Sequence, residues 1–175
     1  MVPAFGFIFD TSSARLAISG DTTYCPALIK AAKGADVLVH EGYIHDRERE
    51  MMARSLHQGS INVMSYHTRS DLIGRIAREA EAGVLVLSHF VPTRFDEDEL
   101  LAQVTTDFDG PVLVGEDLMS IDVTRRQVLA GNAFLALGRV PEAPAGEEKP
   151  VARTRVTPRS KLERALVRSR GRDLV

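Results

Sequence analysis

Acidic and imidazole side chains follow three apolar runs of the sequence. Asp21 comes shortly after a run that ends at Ile18, His40 and Glu41 follow the next run, and His89 follows the third. Ligands bind at the carboxyl ends of strands in sheets built from strand, helix and strand units, so this placement indicates a functional site. Carboxylate oxygen and neutral imidazole both bind zinc, manganese and iron. Asp21 and His89 are therefore the predicted metal ligands.

Each of these residues also has a purely structural interpretation. Asp21 could cap the helix that follows it, and His89 could be a histidine satisfied before a turn. Glu41, at the end of a buried strand, could pair with Arg69. His67 stands just before a predicted helix and could be a general acid, a partner of a metal ligand or a helix-start residue.

Length and composition indicate one ordinary globular domain with a tail. The chain has 175 residues, of which 44% are hydrophobic and 26% charged, and we expect a domain over residues 1–140 and a Pro- and Arg-rich, disordered tail over 141–175. No apolar stretch reaches the ~20 residues of a membrane-spanning helix. We therefore expect no membrane partner and a cytoplasmic location. Cys25 is the only cysteine, which excludes an internal disulfide.

The charge is distributed unevenly along the chain. Residues 1–148 carry 13 Lys and Arg against 22 Asp and Glu, whereas residues 149–175 carry 9 against 2. The acidic body argues against a general nucleic-acid surface, and the basic tail could bind RNA or another polyanion. The alternatives for the tail are a solvated end and a segment folded back on the body.

Apolar periodicity predicts a β-hairpin followed by two or three strand and helix units, and thus an α/β fold. The predicted strands cover residues 5–10, 15–19, 37–39, 84–87, 111–114 and 118–123. Helices are expected after a cap at Thr22 or Thr23, after a cap at Thr68 or Ser70, and from Asp96. Residues 44–56 are also helix-prone. The apolar residues 128–137 could cover the sheet or form an interface.

Five motifs, taken in order over residues 5–123, resemble the second half of a metallo-beta-lactamase-fold hydrolase, nearest to the ribonuclease Z and arylsulfatase-like branch. The motifs are Phe9-Asp10-Thr11, Ser19-Gly20-Asp21-Thr22, residues 33–41, Tyr66-His67-Thr68 and Leu87-Ser88-His89-Phe90. The ordered set is more specific than any one motif. The resemblance implies half of an αββα sandwich, a mixed sheet with helices on one face.

The resemblance also implies roles for four residues. Asp21 would bridge two metal ions, zinc or else manganese or iron, and His89 would bind one of them. Glu41 and His67 would form the charged pair that assists proton transfer to the leaving group. The implied reaction is attack of a metal-bound hydroxide on a phosphoester, sulfate ester or acyl centre.

The family's His-x-His-x-Asp-His cluster belongs upstream of Asp21, and only 20 residues precede Asp21 here. We expect a truncated gene, a half-domain completed by another chain or a degenerate remnant, and we favour truncation. The sheet against which this sheet packs should also be missing. The chain alone should therefore be inactive, expose apolar surface and self-associate, unless a missing N-terminal half completes it. The alternative function is a non-catalytic interaction module with a polyanion-binding tail.

Overall fold

A computed structural model of the chain describes residues 4–44, 65–91, 95–130 and 133–137. The fold begins with the predicted hairpin, in which strands β1 (Phe7–Asp10) and β2 (Arg15–Ile18) pair in antiparallel fashion. Phe7 lies opposite Ile18, and Asp10 lies opposite Arg15. Thr11 closes the turn, because its side-chain oxygen accepts from the amide of Ala14 at 2.9 Å. Residues 19–25 directly follow β2, and we call them the Asp21 loop.

The described strands form a five-stranded sheet in the order β1-β2-β3-β4-β5 and a three-stranded sheet in the order β6-β7-β8. The first sheet is mixed, since β2 to β5 are parallel and β1 is antiparallel. The strands are β1 Phe7–Asp10, β2 Arg15–Ile18, β3 Val37–Tyr43, β4 Leu85–Val91, β5 Val112–Val114, β6 Ser120–Asp122, β7 Gln127–Ala130 and β8 Ala133–Ala136. The helices are α1 Pro26–Ala31, α2 Ser70–Glu79 and α3 Glu97–Val104.

All three of these helices pack on one face of the five-stranded sheet. The α2 helix has a strongly apolar side formed by Ile73, Ile76 and Ala77, which are at most 1% exposed. These side chains join the sheet residues Leu38 and Leu85 in one buried cluster. The predicted α/β fold, a mixed sheet with helices on one face, is confirmed.

The opposite face of the sheet corrects one expectation. A second sheet is present within the described residues, because Val128 and Leu137 form a buried cluster with Val37, Val84 and Leu113. The described part of the apolar segment 128–137 thus covers the sheet, one of its two predicted roles. The cover does not reach β1 and the residues before it, where Phe5, Phe7 and Phe9 are 65%, 55% and 51% exposed. The rings of Phe7 and Phe9 stack with centroids 6.4 Å apart.

The predicted helix caps are partly wrong. Cys25 precedes α1 and Arg69 precedes α2, and neither helix has a side-chain capping bond. The helix start predicted at Asp96 is confirmed, and the Asp96 carboxylate caps α3 by accepting from the amides of Asp98 and Glu99. The hydroxyl of Thr68 instead bonds to a distant loop, which matters for the site below.

Strands β3 and β4 extend further than predicted, so that Glu41 and His89 lie inside strands rather than after them. Within the described residues no helix is long and apolar enough to cross a membrane. The helix-prone residues 44–56 fall almost wholly outside the described residues. The tail and the domain boundary at residue 140 also lie outside them, and both stay predictions.

Candidate metal centre

The Asp21 loop leaves the end of β2 through a glycine that the geometry requires. Gly20 has a φ of +60°, and a Cβ there would lie 2.2 Å from the carbonyl oxygen of Phe5. The hydroxyl of Ser19 donates to the Gly20 carbonyl at 2.7 Å and accepts from the amide of Glu41 at 3.1 Å. The loop that carries Asp21 is therefore fastened to β3.

Glu41 and His67 form a buried pair beside this loop. Oε2 of Glu41 lies 2.8 Å from Nδ1 of His67, and Oε1 accepts from the amide of Thr68 at 2.6 Å. Burial raises the pKa of Glu41, while the Thr68 amide and His67 act in the opposite direction. The carboxylate thus has both oxygens engaged, and the ring of His67 is held through Nδ1. The predicted alternative partner of Glu41 is wrong, because Arg69 pairs with Asp71.

His89 reaches the same place from β4 through an unusual backbone conformation. Its φ is +49°, a left-handed value that is uncommon for residues other than glycine. The pairing register between strands β3 and β4 also shifts between Glu41 and Gly42. Such irregularities occur at sites where a side chain is redirected. Here they bring Nε2 of His89 to 3.4 Å from Oδ1 of Asp21.

Three side chains converge as a group that could hold a metal ion. One ligand atom each of Asp21, His67 and His89 lies within 4.8 Å of the others. The rings of His67 and His89 have centroids 5.4 Å apart. Because Nδ1 of His67 faces Glu41, its Nε2 is the nitrogen left for the group.

The donor set and the spacing fit a zinc-like ion. Two ligand atoms about 2.1 Å from one tetrahedral ion lie roughly 3.4 Å apart, and the Asp21 to His89 separation is 3.4 Å. A carboxylate on the second nitrogen of a ligating histidine is the usual support in such centres, and Glu41 is placed to supply it for His67. The residues therefore fit one divalent ion, with positions left for ligands from elsewhere.

His40 lies next to this pair and is completely buried. Its Nδ1 lies 2.7 Å from the carbonyl oxygen of Glu41, which accepts the Nδ1 proton. Nε2 has no hydrogen-bond partner in the part of the chain that the structure describes. Burial lowers the pKa of His40 to about 4. The ring is therefore neutral at pH 7 and supports the irregular part of β3.

The structure brings all four predicted site residues to one edge of the sheet. Two features were missed. His67 joins the ligand group as well as the Glu41 pair, and Thr68 contacts both parts of the site. No periodicity signals either contact, because each joins segments at least 22 positions apart. The functional roles of the four residues stay predictions.

Comparison with known proteins identifies ribonuclease Z sequences as relatives. The chain is 42% identical over 114 residues to "Ribonuclease Z" of Myxococcus xanthus (strain DK1622), covering 64% of this chain and 34% of that protein. It is 30% identical over 129 residues to "Putative ribonuclease Z" of Mycobacterium tuberculosis (strain CDC 1551 / Oshkosh), covering 73% of this chain and 56% of that protein. No protein-family model matches the chain.

Two solved structures are also similar to parts of the chain. The metallo-beta-lactamase fold protein YhfI from Bacillus subtilis has a TM-score of 0.48 at 28% identity, covering 61% of this chain and 39% of that one. Human tRNase Z, short form, has a TM-score of 0.38 at 25% identity, covering 51% of this chain and 32% of that one.

Both sequence relatives carry the name ribonuclease Z, the branch that the motifs of this chain resemble. The chain resembles these proteins over part of their length, as its motifs predicted. The match spans 34% to 56% of the length of the two sequence relatives.

Proposed function

We propose that this chain supplies part of the active site of a metal-dependent hydrolase that cleaves a phosphodiester bond in RNA. The observation that carries the proposal is the convergence of Asp21, His67 and His89 within 4.8 Å beside the buried Glu41. The names of the sequence relatives favour RNA over the sulfate ester and acyl alternatives.

In this proposal Asp21 and His89 hold the ion and His67 faces it. Zinc is the first choice, with manganese or iron as alternatives, because one carboxylate and two imidazoles suit all three. When bound, the ion would lower the pKa of a water molecule and stabilise developing negative charge. A second ion, expected from the family, would take further ligands from outside these three residues.

The Glu41 and His67 pair handles the proton of the leaving group. Ionised Glu41 accepts the Nδ1 proton of His67 and so fixes the ring with Nε2 toward the reacting centre. A proton on Nε2 can then pass to the departing oxygen, and the carboxylate stabilises the charged ring before transfer. The role of Glu41 is to orient His67 and to balance its charge.

Completion of the site by a further polypeptide segment is part of the proposal. The chain spans only a part of the length of its relatives, and the sheet face at Phe7 and Phe9 is uncovered. An apolar segment packed on these rings would bury them and bring further ligands near Asp21. Self-association of the chain would be the other way to cover them, and the solution mass distinguishes the two.

The test is RNA hydrolysis with a matched pair of variants. The chain is assayed on RNA with a 3' extension, alone and with the part of the Myxococcus relative outside the match. We expect zinc-dependent cleavage in the mixture that Asp21→Asn abolishes. Asp117→Asn changes an exposed carboxylate outside the site and should leave the rate unchanged. Cleavage that survives Asp21→Asn would contradict the proposal.

A second, independent proposal concerns the basic tail. Residues 149–175 carry 9 basic and 2 acidic residues, a charge suited to RNA phosphates. Deleting them should weaken RNA binding and flatten its dependence on salt. Binding that is unchanged by the deletion would remove this idea. The cytoplasmic location stays a prediction.

A further inference from the structure

We propose that Thr68 is a positioning residue that joins the Asp21 loop to the Glu41 and His67 pair. The inference rests on the metal-binding role proposed above and extends it to a residue that does not face the ion. Thr68 does not itself contact a reacting atom in this proposal. It acts through the two neighbours that it holds.

Three hydrogen bonds leave Thr68 in three directions. Its amide donates to Oε1 of Glu41 at 2.6 Å, and its hydroxyl donates to the carbonyl oxygen of Thr22 at 2.8 Å. Its own carbonyl accepts from the amide of Tyr43 at 2.7 Å. One residue therefore bonds to the Asp21 loop, to the carboxylate beside His67 and to strand β3.

The hydroxyl bond is the part of this arrangement that the side chain determines. Thr68 is only 1% exposed, so its hydroxyl has no access to bulk water. The helix does not use the hydroxyl either, because Arg69 is the residue before α2 and no side chain caps it. A buried hydroxyl without a partner is costly, so the bond to Thr22 holds the two segments together.

The positions of the neighbours explain why this bond matters for a metal site. Thr22 directly follows Asp21, and Thr68 directly follows His67. The bond between Thr68 and Thr22 therefore links the residue after the proposed ligand Asp21 to the residue after His67, which faces the ion, across 46 positions in sequence. Loss of the bond removes one of the contacts that hold the Asp21 loop relative to His67. Supporting residues of this kind typically change metal affinity about 10-fold to 100-fold when replaced.

The experiment is a Co²⁺ titration of the full chain, followed by visible absorption and calorimetry. Thr68→Val removes the hydroxyl and keeps the shape, and we expect about 10-fold weaker cobalt binding with an altered absorption band. Thr68→Ser keeps the hydroxyl, and we expect affinity within about threefold of the parent chain. Thr68→Ala repeats the measurement if Thr68→Val does not fold.

The matched control is a second partly buried threonine. The hydroxyl of Thr105 donates to the carbonyl of Leu101 at 2.7 Å, at the end of α3 and away from the site. Thr105→Val removes the same kind of bond and should lower the unfolding midpoint without changing cobalt affinity. A loss of cobalt affinity in Thr68→Val but not in Thr105→Val would distinguish Thr68 from a threonine that only stabilises the fold.

Four outcomes would overturn the inference. Equal cobalt affinity in Thr68→Val and the parent would show that the hydroxyl does not position the ligands. A loss of cobalt affinity in Thr105→Val equal to that in Thr68→Val would assign the effect to a general loss of stability. A tenfold loss of affinity in Thr68→Ser would assign the effect to the methyl group. Absence of cobalt binding in the parent chain itself would instead contradict the proposed metal centre, and the inference would fail with it.

Discussion

Two pairs of an acid and an imidazole stand at the same edge of the sheet in different surroundings. In the buried pair, Glu41 and His67 are 3% and 8% exposed and their atoms are 2.8 Å apart. In the open pair, Asp21 and His89 are 43% and 55% exposed with atoms 3.4 Å apart. In the buried pair both oxygens of Glu41 and Nδ1 of His67 are already bonded, whereas the open pair is accessible to an ion and a substrate.

The difference shows how one sheet edge separates two tasks. Removing a partner from a buried pair leaves polar atoms unsatisfied, so the buried pair contributes to stability as well as to the site. Exposed pairs contribute little to stability, with a median near 0 to 1 kcal/mol. We therefore expect replacements in the open pair to affect metal binding and replacements in the buried pair to affect both.

The largest effect is expected for the open pair. Asp21→Ala removes one of the two proposed ligands and should weaken zinc binding roughly 100-fold or more. The free energy of unfolding without metal should change by less than about 0.5 kcal/mol, because the side chain is exposed. Calorimetry gives the first quantity and urea unfolding the second. A large loss of stability in the apo-protein would contradict the difference between the pairs.

A large effect on stability is expected for the buried pair. Glu41→Ala leaves the amide of Thr68 and Nδ1 of His67 without their acceptor. The free energy of unfolding should fall by about 3 kcal/mol. Urea unfolding at pH 7 measures it, with Glu116→Ala as the exposed control. A loss below 1 kcal/mol would show that the pair is not held as described.

The dependence of stability on pH provides a further test. The loss of stability in acid has an upper limit similar to the loss expected for Glu41→Ala, and it is smaller at mildly acidic pH. The pKa of His40 is near 6.5 when unfolded and about 4 when folded. The unfolded chain thus binds more protons between these values, so stability is complete above pH 6.5 and falls as the pH drops toward 4. The loss reaches at most about 3 kcal/mol.

Urea unfolding at pH 7 and pH 5 in the parent chain and in His40→Asn measures this contribution. Asparagine retains an N–H donor and does not titrate, so the variant should lose less stability between the two pH values. The same pH dependence in both proteins would assign the effect to other groups.

The smallest effect is expected for the hydroxyl of Ser19, which links the Asp21 loop to the strand that carries Glu41. Ser19→Ala removes the hydroxyl that accepts from the Glu41 amide and donates to the Gly20 carbonyl. The expected loss of stability is about 1 kcal/mol. We also expect zinc affinity to fall less than in Asp21→Ala. An effect on zinc binding equal to that of Asp21→Ala would mean that the loop has no other support.

Much of the fold could be predicted because its signals are local. The alternation of β1 and β2, the apolar side of α2 and the acidic cap at Asp96 are each contained within a few residues. Asp21 and His89 were predicted to be ligands because both come near strand ends, and this role stays a prediction. The resemblance to ribonuclease Z proteins added the roles of Glu41 and His67.

What could not be predicted depends on contacts between distant segments. The hydroxyl of Thr68 had two uses open to it, a helix cap and a bond to Thr22, and only the folded chain decides between them. The left-handed backbone of His89, inside strand β4, likewise could not be predicted from its neighbours in the sequence. The second sheet over Val37 and Val84 was missed because its short strands also fit an interface.

The most direct test of the candidate centre is a ¹⁵N NMR spectrum of the chain labelled at its five histidines, recorded with and without zinc. We predict that the Nε2 signals of the ligand His89 and of His67, which faces the ion, shift on adding one equivalent of zinc. Nδ1 of His67 should keep its proton, which Glu41 accepts. The variants His67→Asn and His89→Asn assign the signals. Zinc-dependent shifts confined to the other histidines, or no shifts at all, would contradict a metal centre held by Asp21 and His89 beside His67.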